Sequence, residues 1–263
     1  MNAVEHFRDE SIPQDWKMKS GKRAAFLIKI VFIYGILMMA LLLLVVSQPE
    51  TLPKDRAIIL MGFWVLWIGW IGITGTLMYK LRDTIKRKIA MNPEKWIAKF
   101  VLFAVFLLLL EEVFTTRMTN LYWVFGVERG EAFITASDNY FEVVLFHSAI
   151  VIWPVFLFWA WWLKKYDFHP NWVFLLYGIY GLFQEMQYGG FQQIMAFGMW
   201  IPVYGLMIYL PTYSIPENRG AKRPGIIAYL LTFIFPFLFQ LPFVFGVIFY
   251  RTAVGHQFPF VVD

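Results

Sequence analysis

Glu111 and Glu112 stand side by side near the end of an apolar run, Ile97 to Thr116, and His147 and Glu185 fall at a similar depth in two later runs. Three carboxylates and an imidazole in apolar surroundings have a short menu of chemistry. A glutamate there can serve as a general base that activates water against a carbonyl. Glu112, His147 and Glu185 also offer oxygen and imidazole donors suited to a divalent ion such as zinc, manganese or iron. Acids inside a membrane form proton or cation relays as well. The remaining alternative is a hydrogen-bonded cluster that packs helices, with Arg117 pairing with one glutamate at the interface. Successive helical residues diverge by about 100°, so one glutamate is expected to face the bundle and the other to meet the headgroups or Arg117.

The elements that must position these groups are membrane helices. Hydrophobic residues make up 59% of the 263-residue chain, aromatic residues 20% and charged residues only 16%, and the mean hydropathy is +0.58. That balance excludes an ordinary soluble domain. Runs able to cross about 30 Å of hydrocarbon occur at 24–48, 57–79, 97–116, 140–163, 171–190, 193–211 and 225–250. The expected fold is an all-α, polytopic transmembrane helical bundle of seven spans. Pro236 and Pro242 would kink the last run or split it, which would give eight. The organisation is a polar tail over 1–23, a single membrane domain over 24–250 and a short tail over 251–263.

Basic residues orient the bundle. With the N-terminus in the cytoplasm, 18 of the 23 lysines and arginines fall on the inner side, and only Lys54, Arg56, Arg117, Arg129 and Arg251 fall outside. This asymmetry predicts a cell-membrane protein with its N-terminus inside and its C-terminus outside. The net charge of +5 is thereby a topology signal, and nucleic acid is not an expected partner. The first apolar run is too long for a cleaved leader and is expected to stay as a signal anchor. With no cysteine in the chain, disulfides, thiolate metal sites and cysteine nucleophiles are excluded. The partner implied by composition is the lipid bilayer.

At about 1.5 Å of rise per residue, Glu111, Glu112, His147 and Glu185 all lie in the outer half of the bilayer, within one or two turns of one another. Gly178 and Gly181 precede Glu185 on one stripe, so a neighbouring helix can come close beneath that carboxylate. Gln184, Gln187 and Tyr188 would surround it, and Gln240 could add an amide. Gly69, Gly72 and Gly75 form another small-residue face. Ser137-Asp138-Asn139 followed by Glu142 reads as a helix cap, and Trp16 as an interfacial anchor. Loop 117–139, with Tyr122, Trp123 and Phe125, is expected on the membrane surface. His6, His147, His169 and His256 are the only histidines; His147 alone sits at membrane depth, so bis-histidine haem ligation is unavailable.

The stretch Glu111-Glu112-Val113-Phe114-Thr115-Thr116-Arg117 resembles the first motif of the CPBP intramembrane proteases, the family of the CAAX prenyl endopeptidase. There a glutamate pair precedes an arginine at a helix end, and a histidine follows on the next helix, where this chain has His147. The gap to Arg117 is one residue longer than in that family, Val143 stands where the family has a phenylalanine, and the family's later histidine motif has no counterpart. The resemblance implies a glutamate-dependent hydrolase acting on a peptide or lipid-linked substrate. Glu111 or Glu112 would activate water, His147 would orient it or stabilise an oxyanion, and Arg117 would clamp the pair. Glu185 would stand in for the missing group. The alternative is a non-catalytic membrane subunit or permease whose polar cluster packs helices or conducts protons or ions.

Overall fold

The computed structural model describes residues 14–89 and 94–257. Most of the predicted tail 1–23 (with His6), part of the basic loop after the second run, and residues 258–263 lie outside them. Among the described residues the chain is helical, with no strand.

Helix α1, Gln14–Val46, carries the first apolar run and extends it by nearly three turns on its polar side. Helix α2, Pro53–Gly62, begins at a proline whose missing N–H costs nothing at that position. It continues through a π-helical stretch, Phe63–Thr74, into α3, Gly75–Ile89. Next come α4, Trp96–Thr119, then α5, Tyr140–Phe146, and α6, Ala149–Lys165, which meet at a 50° bend over His147 and Ser148. Helix α7, Pro170–Gly189, starts at a second proline. A 3₁₀ turn, Phe191–Ala196, leads into α8, Phe197–Tyr213. A short α9, Ile226–Leu231, breaks before α10, Phe235–Val254.

Four stretches are long and apolar enough to cross a membrane, Asp15–Val46, Pro53–Ile89, Phe191–Tyr213 and Ile226–Val254, and α5 with α6 makes a fifth if the bent pair is one span. Length and composition thus support four or five of the expected seven. The two that fall short do so for a physical reason. Helix α4 carries Lys99, Glu111, Glu112 and Arg117, and α7 is diluted by tyrosines, Gln184, Glu185 and Gln187. The helices that bring the carboxylates are the ones that fall short, α4 by its charges and α7 by its polarity. Pro242 lies inside α10 and Pro236 in its first turn, so the last run breaks ahead of Pro236 and still counts as one stretch.

Helix α4 sits among α6, α8, α5 and the π-helical stretch, while α7 and α8 form the most extensive helix pair. Glycines make that closeness possible. A methyl on Gly178 would overlap the Ile201 backbone, and one on Gly181 would enter the Tyr204 ring. The expected close packing on this stripe is therefore present. The other glycine face is looser: Gly75 meets Leu206, whereas Gly72 crowds its own helix at Trp67. Where α1 crosses α8, a methyl on Gly198 would lie 2.5 Å from Gly35 Cα.

Loop 120–139 does more than lie on a surface. Its Val127 and Ala132 form a small core with Ala57 and Met61 of α2, while Trp123 stays exposed. Asn139 caps α5 by accepting from the Phe141 and Glu142 amides at 3.0 and 3.4 Å. Glu142 itself accepts from Ser137 Oγ and pairs with His256 at 3.0 Å, so its carboxylate ties the loop to the segment after α10 in place of the expected cap. Trp16 lies in the first turn of α1 under the Arg223 guanidinium, 4.6 Å from its ring centre.

Candidate functional site

Both glutamates of the pair are buried, at 6% and 7% exposure. This corrects the expectation that one would face the headgroups. Helix α4 is covered on several sides, so two directions about 100° apart both point into protein. Arg117 is exposed and makes no ion pair with either glutamate. It lies about 140° around the helix from Glu112 and about 240° from Glu111, which removes it as a clamp.

Local hydroxyls hold the pair. Thr115 Oγ1 lies 3.3 Å from Glu112 Oε2 and equally far from the backbone carbonyls of Glu111 and Glu112. Ser148, at the bend between α5 and α6, faces Glu112 and donates to the Val143 carbonyl at 3.3 Å. From α7, Glu185 Oε1 accepts from the Tyr204 hydroxyl of α8 at 2.7 Å. The charges of Glu111, Glu112 and Glu185 interact with one another, so the three form one acid cluster. No lysine or arginine pairs with any of them among the described residues. Tyr177 and Tyr204 lie close enough to sense Glu111. The Tyr177 hydroxyl is buried with no hydrogen-bond partner among the described residues, which is uncommon for such a group.

His147 follows a different path. It ends α5, its ring lies 5.3 Å from that of Tyr188, and it interacts electrostatically with Arg251 of α10. Its neighbour Ser148, not the imidazole, is the group that faces Glu112. Among the described residues no three His, Cys, Asp or Glu side chains are arranged to hold a metal ion. Glu112, His147 and Glu185 thus do not form the ligand set considered from sequence.

Beneath Glu185 a buried amide pair closes the core. Gln240 Oε1 accepts from Tyr180 at 2.5 Å and from Gln184 Nε2 at 3.1 Å, and Gln240 Nε2 donates back to Gln184 Oε1 at 3.1 Å. Sequence reasoning had only offered Gln240 as an amide and left its partner unnamed. Tyr177, Tyr204 and Ser148 were missed; of these, only Tyr204 had a signal, the Gly181 gap that admits its ring. Outside the helices, Asp138 receives Arg129 at 2.5 and 3.0 Å, and that hydrogen bond and charge hold its carboxyl below the usual range.

Compared with protein-family models, curated proteins and solved structures, the chain matches none.

Proposed function

We propose that this chain is a seven-span integral protein of the cell membrane, N-terminus inside, whose acid cluster binds and relays protons within the bilayer. The observation that carries the reading is the convergence of Glu111, Glu112 and Glu185 with no basic partner among the described residues. Carboxylates held together in a low-dielectric interior must share protons or a cation, because like charges repel strongly there. Tyr204 on Glu185, Thr115 on Glu112 and the Tyr177 hydroxyl, which has no hydrogen-bond partner among the described residues, supply groups that can pass a proton by turning. His147 and Tyr188 continue the polar line toward Arg251. Counting α4 and α7 as spans follows from this reading, since each brings its carboxylates to the centre of the bundle.

The test is flux. Full-length protein in liposomes with an internal pH dye and an imposed potassium diffusion potential should acidify or alkalinise the lumen, and Glu111→Gln or Glu185→Gln should abolish the response. Tight liposomes with no flux for the unaltered chain would remove the reading.

A hydrolytic reading is favoured by one observation, the burial of the intact glutamate pair beside the bend that carries His147 and Ser148. Glu112 would then activate water against a peptide or lipid-linked carbonyl. Cleavage of a prenylated peptide in detergent, lost in Glu112→Gln at unchanged thermal stability, would favour it over the relay.

A further inference from the structure

A second polar constellation lies at the opposite, basic end of the bundle. A cavity of about 720 Å³ opens there among α1, α3, α7 and α8, a size within the range of small-molecule sites. Its lining is divided by chemistry. Ile28, Phe32, Ile71 and Leu206 make an apolar wall, while six lysines and arginines face two carboxylates around the rest.

Half of those cations are already committed. Lys17 and Arg219 hold Asp167 at 2.9 and 2.6 Å, and Lys86 meets Glu217 at 3.2 Å. Lys29, Lys80 and Arg82 have no carboxylate partner among the described residues. Arg82 is held instead by aromatic groups, 4.2 Å from the Tyr79 ring centre, 5.2 Å from that of Tyr213 and 3.5 Å from the Tyr209 hydroxyl. Stacking of this kind fixes a guanidinium while leaving donors for an anion. Thr212, on the same lining and 2% exposed, has a buried hydroxyl with no hydrogen-bond partner among the described residues.

We propose that this cavity binds a phosphate-headed amphiphile, its phosphate at Lys29 and Arg82 and its apolar chain along Ile28, Phe32 and Ile71. A net excess of cations selects an anion, the guanidinium fork suits phosphate oxygens, and the apolar wall selects a tail over a free ion. A phospholipid of the surrounding leaflet and a single-chain alkyl phosphate share this chemistry. The site is separate from the acid cluster and does not depend on its role.

Thermal unfolding of the full chain in neutral detergent tests it. Phosphatidylglycerol or decyl phosphate should raise the midpoint in a saturable way, whereas phosphatidylcholine and inorganic phosphate should not. Response to the first alone marks a leaflet lipid as the ligand; response to the second alone marks a single-chain phosphate; either supports the site. An equal response to phosphatidylcholine, or to inorganic phosphate, would overturn it. The double change Arg82→Gln with Lys29→Gln should weaken the response about tenfold. Thr76→Trp, at an exposed position on the cavity wall, should block it without shifting the midpoint of the lipid-free protein. A response that survives both changes would also overturn the proposal.

Discussion

The Tyr204 hydroxyl donates to Glu185 over 2.7 Å, and it does so across a helix crossing in which Gly181, one turn before Glu185, leaves room for the Tyr204 ring. One missing side chain and one hydroxyl therefore fix where the carboxylate of α7 points.

Removing the hydroxyl separates these contributions. Tyr204→Phe keeps the ring over Gly181 and leaves Glu185 without its donor, so it should lower stability by about 1–3 kcal/mol. Unfolding in detergent reads the loss, and an unchanged midpoint would show that Glu185 finds another donor.

Filling the gap is costlier. Gly181→Ala drives a methyl into a packed ring, and overpacking of this kind costs about 1–3 kcal/mol. Gly62→Ala, where an added methyl meets nothing within 4 Å, is the control and should be neutral or slightly stabilising.

The amide pair of Gln184 and Gln240 gives a double-variant test. Gln240→Leu strands the Gln184 amide and the Tyr180 hydroxyl, a loss of about 1–3 kcal/mol. Adding Gln184→Leu should restore part of it, because an apolar pair leaves fewer unmet groups. Strict additivity of the two losses would show that the amides do not act together.

Acid should loosen loop 120–139. Asp138 has its folded pKa lowered by Arg129, so its stabilising contribution is fully present above the unfolded value, about 3.9, and fades as pH falls through the folded value. Hydrogen exchange over residues 126–139 should rise in that acidic window, and Asp138→Asn should show the rise at neutral pH. A flat pH profile in the unaltered protein would contradict the pairing.

At the basic end, His169 gives the same sign at higher pH. Burial and the Lys17 charge lower its pKa, partly offset by Asp167, while its Nδ1 accepts from the Asn171 amide at 3.1 Å and caps α7. Protonation would remove that acceptor, so the cap is secure above about pH 6.5 and weakens below it. Amide exchange at the first turn of α7 should increase on acidification, and His169→Asn, which keeps a capping oxygen, should suppress the dependence.

Much of this arrangement was legible because membrane helices make depth a one-dimensional quantity. Counting rise per residue was enough to bring Glu111, Glu112 and Glu185 together, and the Gly178–Gly181 stripe announced the closeness of α8. Rotation about the helix was harder. Treating α4 as having one buried side sent one glutamate outward, when neighbours on several sides bury both. The bend at His147 escaped detection because hydropathy runs straight through it, and that bend presents Ser148 to Glu112 while turning the imidazole toward Tyr188. The same residues bear on the span count, since those that make the cluster also raise the charge of α4 and the polarity of α7.

The length of α1 has a mechanical meaning. Its 33 residues rise about 50 Å, against about 30 Å of hydrocarbon, and only 17% of its apolar window is buried against the rest of the chain. The surplus is at the end that carries Lys17, Lys19, Lys22 and Arg23, beside the amphipathic cavity. A thicker or thinner bilayer would be met there first, by tilting of this one rod about its Gly35–Gly198 contact with α8, while the glycine-locked crossing of α7 and α8 keeps its register.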